Sequence, residues 1–276
     1  MKLACGPWEM VVAPEGAAIL SLRRNGRDIL RLTPQGASDP FDHACFPLVP
    51  YANRIAFGTL EWEGRLHHLP RNHPGQTHPL HGTGWRERWD IVESDAKSVT
   101  MQRERPADRH WPWSFTAVQR LELDAEGLNA WLEIRNDDRG AMPVSLGFHP
   151  YFSRDGATAL QFEAGHVWLA DDQMLPTKTA PADHFGDWSA ALPLEQPQLI
   201  DHCYADWNGS AIVTRDDGDI RLAGSGTPAL HIFLPPGEAF FCAEPVTAMP
   251  DAVNHDEAAV LAPGKTMQAG MRITSA

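Results

Sequence analysis

The chain has 276 residues, 43% of them hydrophobic, enough to bury a substantial core in one large domain or two modest ones. Its formal charge of -13 comes from 36 acidic against 23 basic residues with no Lys/Arg run, which argues against nucleic acid or an anionic membrane surface as a partner. The start, Met1-Lys2-Leu3-Ala4-Cys5-Gly6-Pro7-Trp8-Glu9, lacks the apolar core of a secretory signal, and no stretch approaches the roughly 18–20 apolar residues of a membrane span, so a cytosolic chain is expected.

The first local signal is Asp39-Pro40, an N-cap acid before a proline at the first helical position, and it predicts a short helix. Short strand-like runs follow at residues 90–102, 115–123, 128–136, 161–169, 210–222, 229–234 and 267–274, each bounded by Gly, Pro, Asn or Asp. Residues 115–123 and 128–136 alternate apolar with polar around the turn Asp124-Ala125-Glu126-Gly127, the pattern of a hairpin with one buried face. No helical periodicity persists, and 23 scattered prolines suit loops and edge strands. The pattern predicts an all-β sandwich or barrel with a few short helices. Without a linker, repeat or low-complexity tract, residues 1–276 read as a single domain. Cys5, Cys45, Cys203 and Cys242 form no Cys-x-x-Cys pair, so reduced, mostly buried thiols are expected.

Sites on β-sandwiches draw polar side chains from distant segments, so titratable groups in apolar or rigid settings are the candidates. Arg54, in Asn53-Arg54-Ile55, offers a planar fork of donors for a ligand carboxylate or hydroxyl; a structural salt bridge is the other reading. His81 precedes Gly82, which permits close approach of a backbone or a ligand. His78 and His81 have i, i+3 spacing, but Pro79 lies between them and no acidic partner motif is attached, so no metal site is assigned. His149 stands in Gly147-Phe148-His149-Pro150-Tyr151-Phe152, an imidazole within an aromatic segment, fit either for proton transfer or for a satisfied core position. Asp201 follows Leu199-Ile200 where a strand is expected to end, as a sugar-binding acceptor or a turn cap. Glu244, after Phe240-Phe241-Cys242-Ala243 and before Pro245, is expected at the end of a buried strand, where desolvation raises a carboxyl pKa toward that of a useful base.

Taken together these segments resemble the aldose 1-epimerase (galactose mutarotase) family. The resemblance rests on Asn53-Arg54-Ile55 with Gly58 and the Trp62-Glu63-Gly64 turn, Leu80-His81-Gly82 with Trp85 and Trp89, His149-Pro150-Tyr151-Phe152, Asp201, and Glu244-Pro245, in the family's order over most of the chain. It implies a large, twisted antiparallel β-sandwich whose concave face holds a hexose or pentose, without a cofactor. It also implies roles: Glu244 as the base that takes the anomeric hydroxyl proton, and His149 as the acid that protonates the ring oxygen from across the sugar. His81 would assist at the ring oxygen, and Arg54, Asp201 and Asn53 would bind the substrate. In that scheme Glu244 starts ionised and His149 protonated.

Three alternatives stand beside this reading. Hexose-6-phosphate mutarotases of the same fold need extra basic groups; Arg86 and Arg88 are the candidates, although Trp85-Arg86-Glu87-Arg88-Trp89 also reads as a self-neutralised strand. A non-catalytic carbohydrate-binding sandwich needs no Glu244 opposite His149, and a metal-dependent cupin-type enzyme needs clustered His/Glu spacing that is absent. Among the ten tryptophans, Trp85, Trp111 and Trp113 are candidate sugar platforms, with core packing as the plainer role. A monomer or a homodimer is compatible with the sequence.

Overall fold

The computed structural model describes residues Met1–Ala276 as strands, loops and five short 3-10 helices, with no α-helix. A twelve-stranded and a nine-stranded sheet dominate, joined by two small two-stranded ribbons. The nine-stranded sheet is built around the expected hairpin: Phe115–Leu123 pairs antiparallel with Gly127–Asn136, Leu123 opposite Leu128, and Thr266–Ser275 extends it. Asp124 closes the turn by accepting the backbone N–H groups of Glu126 and Gly127.

Alternation fixes how the two large sheets meet. Leu121, Leu132, Ile134 and Ile273 of one sheet join Leu22, Leu230, Ile232 and Phe241 of the other in a core of 55 buried residues. A second cluster of 12 buried residues, including Phe46, Trp85, Cys203 and Cys242, lies on the other face of the twelve-stranded sheet. No helix is long and apolar enough to cross a membrane.

Three expected strands prove to be two each. Residues 90–102 divide into Asp90–Ser94 and Ser98–Arg105 because Asp95 caps a turn through the N–H groups of Lys97 and Ser98. Residues 210–222 form the hairpin Ser210–Arg215 and Ile220–Ser225. Residues 161–169 cross between sheets: Ala157–Phe162 belongs to the nine-stranded one and His166–Ala170 to the twelve-stranded one. Asp39 caps Pro40–Asp42 as expected, accepting from the Phe41 N–H. The stretch 85–89 is no strand: Gly84–Arg86 is a 3-10 turn, Glu87 pairs with Arg103 and Arg105, and Arg88 pairs with Glu15. Cys45, Cys203 and Cys242 are buried, Cys5 is half-buried, and all four are free thiols.

Candidate active site

Strand alternation selects the side chains that reach the second face of the twelve-stranded sheet. In Phe240–Val246, Phe241 and Ala243 enter the shared core, so Phe240, Cys242 and Glu244 face away from it. In Ala229–Leu234, Leu230, Ile232 and Leu234 do the same and leave His231 and Phe233 on the far face. Register sets His231 beside Glu244 and Phe233 beside Asp201. With the loops that carry Asn53, Arg54, His81 and His149, the side chains of Asp201, His231, Phe233, Phe240 and Glu244 line a cavity of about 280 Å³. All six residues singled out in the sequence therefore share one cavity.

Two of those positions differ from expectation in their elements. Asp201 is the second residue of Ile200–Ala205, at the start of a strand and not its end, and its side chain caps no turn. Glu244 lies inside Phe240–Val246, which continues through Pro245 to Val246.

The loop residues hold one another. The His81 N–H donates to the Asn53 carbonyl at 2.8 Å, and the Asn53 N–H donates back to His81 Nδ1 at 3.1 Å. Both backbones are left-handed, with φ of 58° at Asn53 and 57° at His81. Asn53 Oδ1 in turn accepts from the Arg54 N–H and from Arg54 Nη1. Gly82 is required by close backbone approach: a Cβ there would stand 2.2 Å from the Val49 carbonyl oxygen. Arg54 has no carboxylate within 4.0 Å, so the salt-bridge reading of it is set aside.

These contacts fix the chemistry of His81. Because Nδ1 accepts a hydrogen bond, the neutral ring carries its proton on Nε2. Burial, with the charges of His149, Arg54 and His231 adding to it, holds its pKa well below the usual histidine value. His81 is thus a neutral donor at physiological pH.

His149 and Glu244 stand side by side on one wall, with Nε2 3.4 Å from Oε1, where the sequence suggested opposite sides of a ligand. The imidazole stacks on Tyr151 at 4.6 Å between centroids, leans on Phe46 at 4.8 Å, and meets His81 edge-on at 5.1 Å. Glu244 Oε2 and His149 Nδ1 are buried without protein partners.

Their protonation also departs from expectation. Burial, reinforced by His231 and Arg31, lowers the His149 pKa to about 3. Burial, reinforced by the Asp201 charge, raises that of Glu244 well above the ordinary carboxyl value. Burial in the cavity accordingly favours a neutral carboxylic acid beside a neutral imidazole, where the sequence suggested an ion pair. The two descriptions are tautomers, because each places one ionisable proton on the pair.

Asp201 does ionise. Burial alone would raise its pKa, but the hydrogen bond from His231 and the charges of His231, Arg54 and His202 outweigh it and lower the pKa. His231 Nε2 lies 2.6 Å from Asp201 Oδ1, and both residues are more than nine-tenths buried.

His231 was not among the sequence candidates, although Ala229-Leu230-His231-Ile232-Phe233-Leu234 carries the same signal as His149, one imidazole in an apolar run. Arg31 had no such signal. Its guanidinium lies 3.5 Å over the Tyr151 ring and donates to the carbonyls of Phe41 and His43, pinning that loop to the rim. Trp85, Trp111 and Trp113 are buried and none lines the cavity; aromatic walls come from Phe41, Tyr151, Phe233 and Phe240.

His78 does not join His81 as a ligand pair: its Nδ1 accepts the Phe57 N–H, and it lies outside the cavity lining. One metal-like constellation exists, His149, Cys242 and Glu244, with donor atoms within 4.8 Å of one another. Burial and the nearby Glu244 hold the Cys242 thiol well above its usual pKa, which opposes the thiolate a metal would need.

The fold is thus an all-β sandwich with a polar cavity of about 280 Å³ in which an imidazole and a carboxyl lie side by side, and similarity to known proteins narrows this class further. The aldose 1-epimerase family model matches residues 6–274, and the chain belongs to that family. It is 29% identical to the uncharacterized protein YphB of Escherichia coli K12, covering 98% of this chain and 97% of that protein. Its fold superimposes on a provisional aldose 1-epimerase from Escherichia coli K12 with a TM-score of 0.91 at 28% identity, covering 99% of this chain and 97% of that one. A GalM/aldose epimerase homologue from C. elegans gives a TM-score of 0.85 at 19% identity over 100% and 98% of the two chains.

Proposed function

We propose that residues 1–276 form one catalytic unit that interconverts the α- and β-anomers of a free aldose by opening and reclosing the pyranose ring. The observation that carries this reading is the His149–Glu244 pair, 3.4 Å apart in a cavity whose other polar groups suit sugar hydroxyls. About 280 Å³ lies near the lower end of the roughly 300–1,000 Å³ usual for ligand sites, a size suited to one sugar ring.

The chemistry follows from the proton held by the pair. An anomeric hydroxyl is a weak acid and a ring ether oxygen a poor leaving group, so one group must take a proton as another gives one. With the pair in its ionised tautomer, the Glu244 carboxylate removes the O1 proton and His149 Nε2 delivers a proton to the ring oxygen. The C1–O5 bond breaks and the aldehyde forms. Rotation about C1–C2 and the reverse transfers close the other anomer. Proton transfer within the pair supplies the ionised tautomer from the neutral one, and the sugar hydroxyls solvate the charges that form. His81, a neutral Nε2–H donor, would steady the ring oxygen. Arg54, held by Asn53, and Asp201, held by His231, would fix the ring's register.

Arg86 and Arg88, the basic pair considered for a sugar phosphate, lie outside this cavity, and Arg88 pairs with Glu15. That favours a non-phosphorylated aldose as substrate. Polarimetry over a panel of free aldoses and their 6-phosphates, with and without a chelator, tests the reading. It expects accelerated anomerisation of at least one free aldose, unaffected by the chelator. Failure across the panel would overturn it.

A further inference from the structure

The molecule contains a larger concavity, about 720 Å³, behind the loop that carries His81. Its walls include Arg71, Arg86 and Arg105 against a single carboxylate, Glu87, and no hydrophobic side chain. In a chain of net charge -13, this is a local reversal of sign. Arg105 is committed to Glu87 and Asp108, and Glu87 also takes Arg103. Arg71 and Arg86 have no carboxylate within 4.0 Å, so two guanidinium forks at the same mouth are unspent. Buried Thr83, also in the wall, has a hydroxyl without a hydrogen-bond partner.

We propose that this concavity is a second ligand site, separate from the sugar cavity, that takes a phosphate dianion. Planar guanidinium donors match phosphate oxygens in pairs, and a compact dianion neutralises two unpaired forks at once. The wall between the two cavities is thin in sequence. Gln76, Leu80 and His81 line the sugar cavity, whereas Asn72, Gly82 and Thr83 line the basic one. Asn72 is the clamp of this wall: Nδ2 donates to the Leu80 and Gly82 carbonyls, each at 2.7 Å, and Oδ1 accepts the Leu80 N–H. A dianion drawn to Arg71 therefore sits beside the residue that holds the His81 loop.

Calorimetric titration of the full chain with inorganic phosphate at low ionic strength tests the site without recourse to turnover. Saturable binding is expected, weakened about tenfold or more in R71A/R86A, whose side chains are exposed and form no ion pair, and unchanged in R54A. An aldose 6-phosphate, run in parallel, distinguishes free phosphate from an esterified one and is expected to show the same dependence on the two arginines. Absence of saturable phosphate binding to the wild type, equal affinity in R71A/R86A, or an equal loss in R54A would each overturn a separate phosphate site.

Discussion

His231 Nε2 meets Asp201 Oδ1 at 2.6 Å across neighbouring strands, and His231 is also the register partner of Glu244. One imidazole thereby compensates a buried carboxylate that would otherwise bear directly on Glu244, since the Asp201 charge is one cause of Glu244's raised pKa. Replacing His231 with Leu leaves Asp201 buried and unpaired, which costs about 3–5 kcal/mol. Thermal melting is expected to fall by on the order of 10 °C. His231→Gln keeps an N–H donor and should recover most of that loss; equal melting of the Leu variant and the wild type would show the contact to be immaterial.

The same dyad predicts an acid-side weakness. The folded-state pKa of Asp201 is depressed, so its contribution is fully present above the unfolded value and is lost as pH falls through the folded one. Its stabilisation therefore declines below the ordinary aspartate value near 3.8. Chemical denaturation at a series of acidic pH values should give a shallower loss in Asp201→Asn than in the wild type, measured from each protein's own stability near neutrality.

His149 and Glu244 bias stability from both sides of neutrality. His149, lowered to about 3, is neutral when folded while its unfolded counterpart binds a proton below about 6.5, so stability falls on acidification through that window. Glu244 is raised: the folded state keeps its proton above pH 4.5, where the unfolded carboxyl loses it, and stability falls as pH rises toward the folded value. Glu244→Gln should hence melt higher than the wild type at about pH 8 while losing about 10²- to 10⁴-fold in kcat/KM. A variant that melts lower there would show that the native carboxyl is ionised.

The catalytic pH profile should be bell-shaped, because turnover requires one proton on the pair. A second proton, entering His149 toward about pH 3 in the free protein, closes the acid limb, and loss of the last from Glu244 closes the alkaline one. Initial rates on a free aldose, followed across both limbs, check this. His149→Ala is expected to lose about 10²- to 10⁴-fold in activity. A flat profile to about pH 10, where even the ordinary tyrosine pKa is reached, would rule out the shared-proton scheme.

What the sequence disclosed here depended on locality. The hairpin of Phe115–Leu123 with Gly127–Asn136 was legible because alternation and an Asp-to-Gly turn lie within one short window. The switch between sheets after Phe162 was not, since alternation reports which side chains share a face and says nothing of which sheet owns it. The six candidate residues stood out because each is a polar group in an apolar or rigid segment and because their order matched a family, and the fold brings them to one cavity. Arg31 escaped: its function comes from stacking on Tyr151, more than a hundred residues later. The protonation of the pair was equally hidden, because His149 loses its proton through burial, and the packing that buries it is built from several distant segments.

Asn53 offers the sharpest separation of positioning from chemistry. Its left-handed backbone is one that glycine adopts readily, so Asn53→Gly preserves the loop and the His81 clasp, which uses only the Asn53 main chain. What disappears is Oδ1 and its two hydrogen bonds to Arg54, one of them to the guanidinium. A hydrogen bond to a charged group is worth about 1.5–3 kcal/mol, so KM should rise by roughly 10- to 100-fold as Arg54 loses its orientation. With His81, His149 and Glu244 undisturbed, kcat should change little. Steady-state kinetics decide the matter: a fall in kcat at constant KM would mean that Asn53 and Arg54 act on the ring-opening step and not on the bound sugar.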